Sequence, residues 1–391
     1  MSDDKKEIGI GIIGCGGRIN GVTRRTCRED DRLRVVGVCD INPDSIESNK
    51  KFFSKKEIYA HADREIEVYS SPAELVADPN ISWVMVGSWN NAHCEHVVAA
   101  FKAGKNVFCE KPLATSLEDC LKMREAWLAS GKQFAIGFTL RFSPHYRKIK
   151  ELIEEGVIGD IISLEFNETL EFNHGGFIHQ DWRRLTKNAG SHVLEKCSHD
   201  IDLINWMIGS RASRIASFGG LNFFIPSNES HIERVGKSKN GTEAFSWGRA
   251  KASFNAFTAE KDIVDNQVVI MEYENGVRAT FHASCIAGIP ERRMYILGSE
   301  GCIRADVMTG KIESKRIGYD TEMIEHDTGS AGGHGGGDEI LAKEIKDCML
   351  KGDLPAAGLH DGLNSAVTCF GIDLANESGE VVDMEDLWKK V

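Results

Sequence analysis

The sequence predicts two α/β domains. The first, over residues 1–138, is built on a doubly wound parallel sheet; the second, over 139–391, is an α+β domain with a large, mostly antiparallel sheet. Three observations predict this. Short apolar runs alternate with amphipathic stretches up to about residue 138, which is the pattern of βαβ units. Beyond that point strand-like alternation takes over, with Asn275-Gly276 between two such runs as a strong hairpin signal. A chain of 391 residues also exceeds one ordinary hydrophobic core.

Ile8 to Ile13 is a short apolar run that reads as a buried strand, followed by a Gly-rich turn and a helix to about residue 28. Leu33 to Cys39 is a second strand, ended at Asn42-Pro43, where a polar helix opens. Pro72, behind Ser71, stands where a helix accepts proline, at its first position. Further strands fall at 81–86, 106–109 and 133–138, with helices at 91–104 and 116–130. After a helix at 144–155, strands follow at 161–166, 266–273, 277–284, 292–297 and 302–306. Residues 226–262 are polar and patternless, a loop length that is usually functional or disordered. Gly332 to Gly337 forms a flexible joint, and 338–391 is mainly helical and free to pack back on the first domain.

Composition is that of a globular protein, with 41% hydrophobic and 27% charged residues. A net charge of −12 argues against nucleic acid as a partner. No apolar run approaches the ~20 residues needed to cross a bilayer, so no membrane partner is expected. The start, Met1 to Lys6, is polar and of mixed charge, unlike a signal peptide. The eleven cysteines are scattered and form no Cys-x-x-Cys pair. The expectation is a reduced, cytoplasmic protein with buried thiols and no metal. His93, Cys94 and His96 lack a second ligand cluster and read as a helix start rather than a zinc site.

Gly14-Cys15-Gly16-Gly17-Arg18-Ile19 follows a strand and opens a helix, the context required of a Rossmann dinucleotide fingerprint. Gly14 permits the tight turn. Gly16 lets the backbone approach a pyrophosphate, whose charge suits helix N-terminal amides. Gly17, Arg18 and Ile19 complete this candidate cofactor turn, with Ile19 where the third glycine of the fingerprint falls. Asp40 ends the second strand, where a carboxylate accepts hydrogen bonds from ribose hydroxyls and repels a 2′-phosphate. No Lys or Arg follows it before Lys50, so NAD is favoured over NADP.

Two distant segments carry the chemistry. Val107 to Pro112 puts Lys111 where a strand ends. Glu195 to Asp202 puts Glu195 and His199 four residues apart, on one face of a helix if a helix forms there. A cation, a carboxylate and an imidazole suit removal of an alcohol proton while the carbon loses a hydride. Imidazole, with an ordinary pKa near 6.5, accepts a proton at neutral pH. Lys196 is an alternative cation. Arg141 suits either a substrate group or an ion pair, and Asp200 and Asp202 read as local caps or pairs.

Through these segments the chain resembles the Gfo/Idh/MocA family of NAD(P)-dependent oxidoreductases, which act on sugars, inositols and related polyols. The likeness covers nearly the whole chain: Gly14 to Gly17, Cys39-Asp40, Ser88 to His93, Gly104 to Pro112, Arg141 to Pro144, Asp181 to Arg183 and Glu195 to Asp202. The resemblance implies that Lys111 contacts the nicotinamide ribose and the substrate hydroxyl. Glu110 then lies beside it in the cofactor site, and Pro112 follows a cis bond that would aim the lysine. It implies that Ser88, Asn90 and His93 line the cofactor cleft and that Trp182 and Arg183 reach towards the cofactor. His199 is then the general base, paired with Glu195, and Lys111, Arg141, Glu195 and His199 bind substrate. A homodimer or homotetramer is also implied.

Three departures from the family pattern, Glu195 for the commoner Asp, Ser191 for a glycine and Trp89 for a proline, bear on the substrate more than on the reaction. The expected function is hydride transfer between NAD and a secondary alcohol of a sugar, glycoside or inositol-like polyol. The same residues would serve an NAD-retaining glycosidase that oxidises its sugar transiently. The fold alone would also serve a non-catalytic NAD-binding regulator.

Overall fold

A computed structural model describes residues 7–56, 59–247 and 254–391, in two compact units. The first unit joins Met1–Phe142 to Gly337–Leu363, and the second joins Ser143–Gly336 to Asn364–Val391. The sequence reading places one boundary, at 138/139; the chain divides at Phe142 and crosses between units twice more.

The first unit holds six strands: β1 (Ile8–Ile13), β2 (Leu33–Cys39), β3 (Glu67–Val68), β4 (Trp83–Val86), β5 (Asn106–Cys109) and β6 (Phe134–Ile136). They pair in the order β3-β2-β1-β4-β5-β6, and every pair is parallel. Ile10, Ile12, Val35, Val38, Val84, Met85, Val107 and Phe108 are buried, as in a parallel sheet covered on both faces. Strand order reverses between β1 and β4. Open α/β sheets bind ligands at the carboxyl ends of the strands at such a point. The loops that leave there begin at Gly14 and Gly87.

The return of residues 337–363 to this unit is electrostatic in part. The helix Gly337–Lys351 carries Asp338 and Glu339 in its first turn, where acids suit the helix dipole. On the helix Gly17–Arg28, Arg18 and Arg25 are seven residues apart and share a face. Arg18 pairs with Asp338, Arg25 with Glu339 at 2.8 Å, and Arg28 with Glu339 at 3.2 Å.

The second unit is built on a nine-stranded sheet. Its strands are β7 (Ile161–Glu171), β8 (Ala212–Gly220), β9 (Asn266–Tyr273), β10 (Arg278–Ala287), β11 (Arg293–Gly298), β12 (Gly301–Asp306), β13 (Lys311–Arg316), β14 (Met323–Glu325) and β15 (Val382–Asp383). The order is β14-β13-β12-β11-β7-β10-β9-β8-β15, antiparallel except for β7 beside β10. Gly276, at φ +85°, closes the β9–β10 hairpin, so turn chemistry sets the register. That register aligns Val269, Phe281, Phe166, Met294, Ala305 and Ile312 in one buried row across the sheet. The period-2 alternation leaves Phe218, Val268, Ile270, Tyr295 and Leu297 exposed.

The stretch 226–262 is more ordered than its polarity suggests, over the part that is described; 248–253 lie outside the described residues. Phe224, Phe245, Phe257 and Ile263 pack with Leu170, Ile178 and Cys285 into a separate small core. Buried Asp265 accepts hydrogen bonds from the backbone N–H groups of Asn222, Phe223 and Phe224, which pins the entry to this segment. The few apolar residues that anchor it follow no helix or strand period, and the sequence pattern therefore passes over them. Strands β8 and β13–β15 are absent from the sequence reading for the related reason that they are short, polar or at the sheet margins. Among the described residues, no helix is long and apolar enough to cross a membrane.

Candidate functional site

The candidate cofactor residues lie in the first unit, where the loops after β1 and β4 meet. Gly14 has φ +82°, and a Cβ on it would come within 2.4 Å of the Ser88 backbone nitrogen. Only glycine allows that approach. Gly16 is the N-cap of the helix Gly17–Arg28, which has no side-chain cap and no acid in its first turn. A Cβ on Gly16 would meet only the Gly87 carbonyl oxygen, at 3.9 Å, and one on Gly17 would meet nothing within 4 Å. The glycines at this uncapped helix end therefore leave room for a pyrophosphate to approach the backbone. Ile19 is explained by its neighbour, because a Cβ on Gly87 would fall 2.4 Å from the Ile19 Cβ. The glycine that permits close packing here is on the other loop. Asp40 accepts from the Cys15 N–H at 2.5 Å and from the Asn42 N–H at 2.7 Å. Its carboxylate is thus held at the rim of the glycine turn with lone pairs left for hydroxyl donors.

Arg18 serves a different purpose from phosphate contact. Its Nε donates to Glu110 Oε1 at 3.1 Å, and its two terminal nitrogens donate to Asp338 and to the Thr139 hydroxyl. Glu110 is buried, and burial pushes its carboxyl up while Arg18 and Lys111 pull it back. The brace therefore fixes the residue before Lys111. On the other side, the Lys111–Pro112 bond is cis. His93 is fully buried, with Nδ1 2.9 Å from the Pro112 carbonyl oxygen and Nε2 3.2 Å from that of Ser88. Burial lowers its pKa to about 4, so the ring is neutral and has one N–H to give. The shorter contact assigns that proton to Nδ1. His93 thus ties the Pro112 turn to the start of the helix His93–Lys102, in the loop region that the resemblance places along the cofactor cleft. Ser88 Oγ bonds His96 Nδ1 at 2.9 Å, and Asn90 is buried in the turn that follows. Lys111 itself is half-buried.

Arg141 takes the ion-pair option. It is buried, and its guanidinium pairs with Asp361 at 2.9 Å and donates to the Ala356 carbonyl at 3.3 Å. Its charge holds the returning segment to the first unit, so it is a poor candidate for a substrate ligand.

A second group of candidate residues lies in the second unit. Glu195 and His199 do not share one helix: His192–Glu195 and Ser198–Ile208 are separate, broken at Lys196-Cys197. The residues either side of the break are drawn to different partners. Glu195 Oε1 accepts from Arg183 Nε at 2.9 Å, and Lys196 Nζ reaches Glu168 Oε1 at 2.9 Å. Arg183 also pairs with Asp181 at 2.7 Å and lies 4.3 Å from the centre of the Trp182 ring. Trp182, Arg183 and Glu195 therefore form one continuous polar and aromatic strip. Next to His199, buried Asp200 is held by Arg292 through two bonds of 2.7 and 2.9 Å, and Arg292 also pairs with Glu168 at 2.6 Å. Burial pushes the Asp200 carboxyl up against the pull of Arg292; for Glu168 the same push is outweighed by Arg292 and Lys196, and its pKa is held down. Glu168, Cys197 and Asp200 have metal-like spacing, but two cations already neutralise the two carboxylates. Glu168 and Arg292 escaped the sequence reading because only β7 and the approach to β11 bring them beside Asp200.

Two family models match the chain: "Oxidoreductase family, NAD-binding Rossmann fold" over residues 8–138, and "GFO/IDH/MocA C-terminal domain" over 146–304. The inositol 2-dehydrogenase of Burkholderia cenocepacia (strain HI2424) is 31% identical over 392 residues, covering 95% of each chain. That of Gluconacetobacter diazotrophicus is 36% identical over 204 residues, 51% of this chain and 54% of the relative. A levoglucosan dehydrogenase solved with NADH and levoglucosan has the same fold, with a TM-score of 0.77 at 18% identity over 97% of this chain and all of that one.

Arg18→Ala should lower the stability of the first unit by about 1–3 kcal/mol, since it strands the buried Glu110 carboxyl; urea unfolding measures this, and an unchanged midpoint rules out the brace. His93 binds a proton less readily folded, at about 4, than unfolded, near 6.5. Its contribution to stability is therefore complete above that unfolded value and is lost as pH falls from 6.5 towards 4, by up to about 3 kcal/mol. His93→Gln should flatten the acid limb of the stability profile over this window.

Proposed function

Because the chain belongs to the Gfo/Idh/MocA oxidoreductase family, we propose that it transfers a hydride between NAD and a secondary alcohol of a sugar, glycoside or inositol-like polyol. The inositol 2-dehydrogenase relative that aligns over nearly the full chain supports this substrate class. NAD, when bound, supplies the hydride acceptor. The uncapped helix end at Gly16 and Gly17, with Gly14, Ile19, Asp40, Ser88 and Asn90 around it, suits the dinucleotide, and the fixed Asp40 carboxylate favours NAD over NADP.

The observation that carries the reading is the double restraint on Lys111, between Glu110 braced by Arg18 and Pro112 clamped by His93. A lysine so placed donates to the substrate oxygen and stabilises its alkoxide character. His199 takes the hydroxyl proton and, in the reverse direction, returns it to the carbonyl oxygen. Glu195, tied to Arg183 through one oxygen, is the carboxylate that accompanies His199 in this reading. In this reading Lys111 and His199 divide the acid–base work of the reaction, and Trp182 and Arg183 contribute to cofactor binding.

The exposed row Phe218, Val268, Ile270, Tyr295 and Leu297 supports a homodimer or homotetramer through the open face of the sheet. A cytoplasmic location belongs to the same proposal, with ten of eleven cysteines buried as thiols.

Lys111→Ala should cut turnover by about a hundred-fold or more and leave NAD affinity within a few-fold of the parent. The assay is NADH accumulation across a panel of inositols, aldoses and glycosides. Near-full turnover in the variant overturns the role of Lys111, and product sugar without net NADH points to the NAD-retaining glycosidase. Light scattering should return two or four protomer masses, and Ile270→Lys should lower that number.

A further inference from the structure

Beside the second unit's small core lies an aromatic pair that the reaction above does not use. The Trp247 indole stacks on the His174 ring, with centroids 4.1 Å apart and planes within 8°. Phe177 closes the side at 5.4 Å. Trp247 nonetheless keeps 46% of its surface exposed. The backbone that presents it is built at a cost: Phe245 and Trp247 have φ of +60° and +49°, a region bulky residues avoid. That conformation is over-determined by the helix Phe172–Gln180. Asn173 accepts from the Phe245 N–H at 2.6 Å, and the Gln180 amide donates to the Phe245 carbonyl. Gly176 leaves the room, since a Cβ there would fall 2.2 Å from that carbonyl oxygen. The same helix links the pair to the reacting residues, because Arg183 lies 5.7 Å from the Phe177 ring and binds Glu195. Burial, helped by Lys196 and Arg183 and opposed by Glu168 and Glu195, keeps His174 neutral.

A partly exposed aromatic pair, linked through Phe177 to Arg183 and its partners Glu195 and Asp181, is a surface that takes the C–H face of a pyranose while polar neighbours bond its hydroxyls. We infer that Trp247, stacked on His174 and linked to Glu195 through Phe177 and Arg183, is a sugar-ring platform, and that the substrate is a glycoside whose second ring rests there. This deepens the proposed function and rests on it, since a sugar or polyol must occupy the Glu195–His199 region for a second ring to reach Trp247.

The test is calorimetric binding of a disaccharide and of free myo-inositol to the full chain, without turnover, in the parent, Trp247→Ala and Trp247→Phe. The parent should bind the disaccharide at least ten-fold more tightly than inositol. Trp247→Ala should reduce that ratio at least ten-fold, and Trp247→Phe should keep most of it. Equal affinities in the parent, an unchanged ratio in Trp247→Ala, or a Phe variant as poor as the Ala one each overturns the platform. NADH formation is scored separately. A parent that binds the disaccharide with the expected ratio but reduces no NAD sinks the dehydrogenase reading and leaves the platform standing. NADH from inositol with no disaccharide preference does the reverse.

Discussion

The Arg18–Glu110 pair is the constraint on which the first unit turns. One guanidinium on the helix after the glycine turn reaches Glu110 at the end of β5, Thr139 beyond β6 and Asp338 at the start of a helix from the far end of the chain. Four segments remote in sequence therefore share one charge. Arg18 is itself 35% exposed, whereas Glu110 is close to buried, so the cost of desolvation falls on the carboxylate and is offset by the arginine. The lysine next to Glu110 inherits the order. Without the brace, a strand-end lysine would be a solvated, mobile cation.

The second unit solves a similar problem with more charges. Glu168, Asp200, Arg292 and Lys196 are drawn together beneath His199, and their charges cancel. Such a network adds little net stability against an apolar core, but it holds a specific geometry because any member left alone is costly. It also explains the break in the helix: Glu195 and Lys196, adjacent in sequence, are committed to Arg183 and Glu168. The carboxylate expected to orient His199 is thus tied to the Trp182–Arg183 strip, and the next carboxylate in the chain, Asp200, is committed to Arg292.

A third, smaller arrangement is the aromatic core under 221–263. Phe224, Phe245 and Phe257 supply the burial, while Asp265, Asn173 and Gln180 satisfy backbone groups that a loop of this length would otherwise leave to water. Over its described residues this polar stretch is thus packed and hydrogen-bonded, with positive φ at Phe245 and Trp247 where the aromatic pair is presented.

The sequence by itself determined the parts governed by local rules. The apolar runs of β1, β2, β4 and β5, the Ser71-Pro72 and Ser116 helix starts, the Asn275-Gly276 turn and the Gly14–Gly17 fingerprint depend on periodicity and backbone freedom, which neighbours in the chain decide. Lys111 and His199 were legible because motifs flank them. Tertiary structure alone decided what each charged side chain does, because a salt bridge depends on distance in space and carries no period. It gave Arg18 to Glu110, Arg141 to Asp361, His93 to the Pro112 carbonyl and Glu195 to Arg183. It also took Gly337–Leu363 into the first unit, since the acids that hold it there meet arginines more than three hundred residues away.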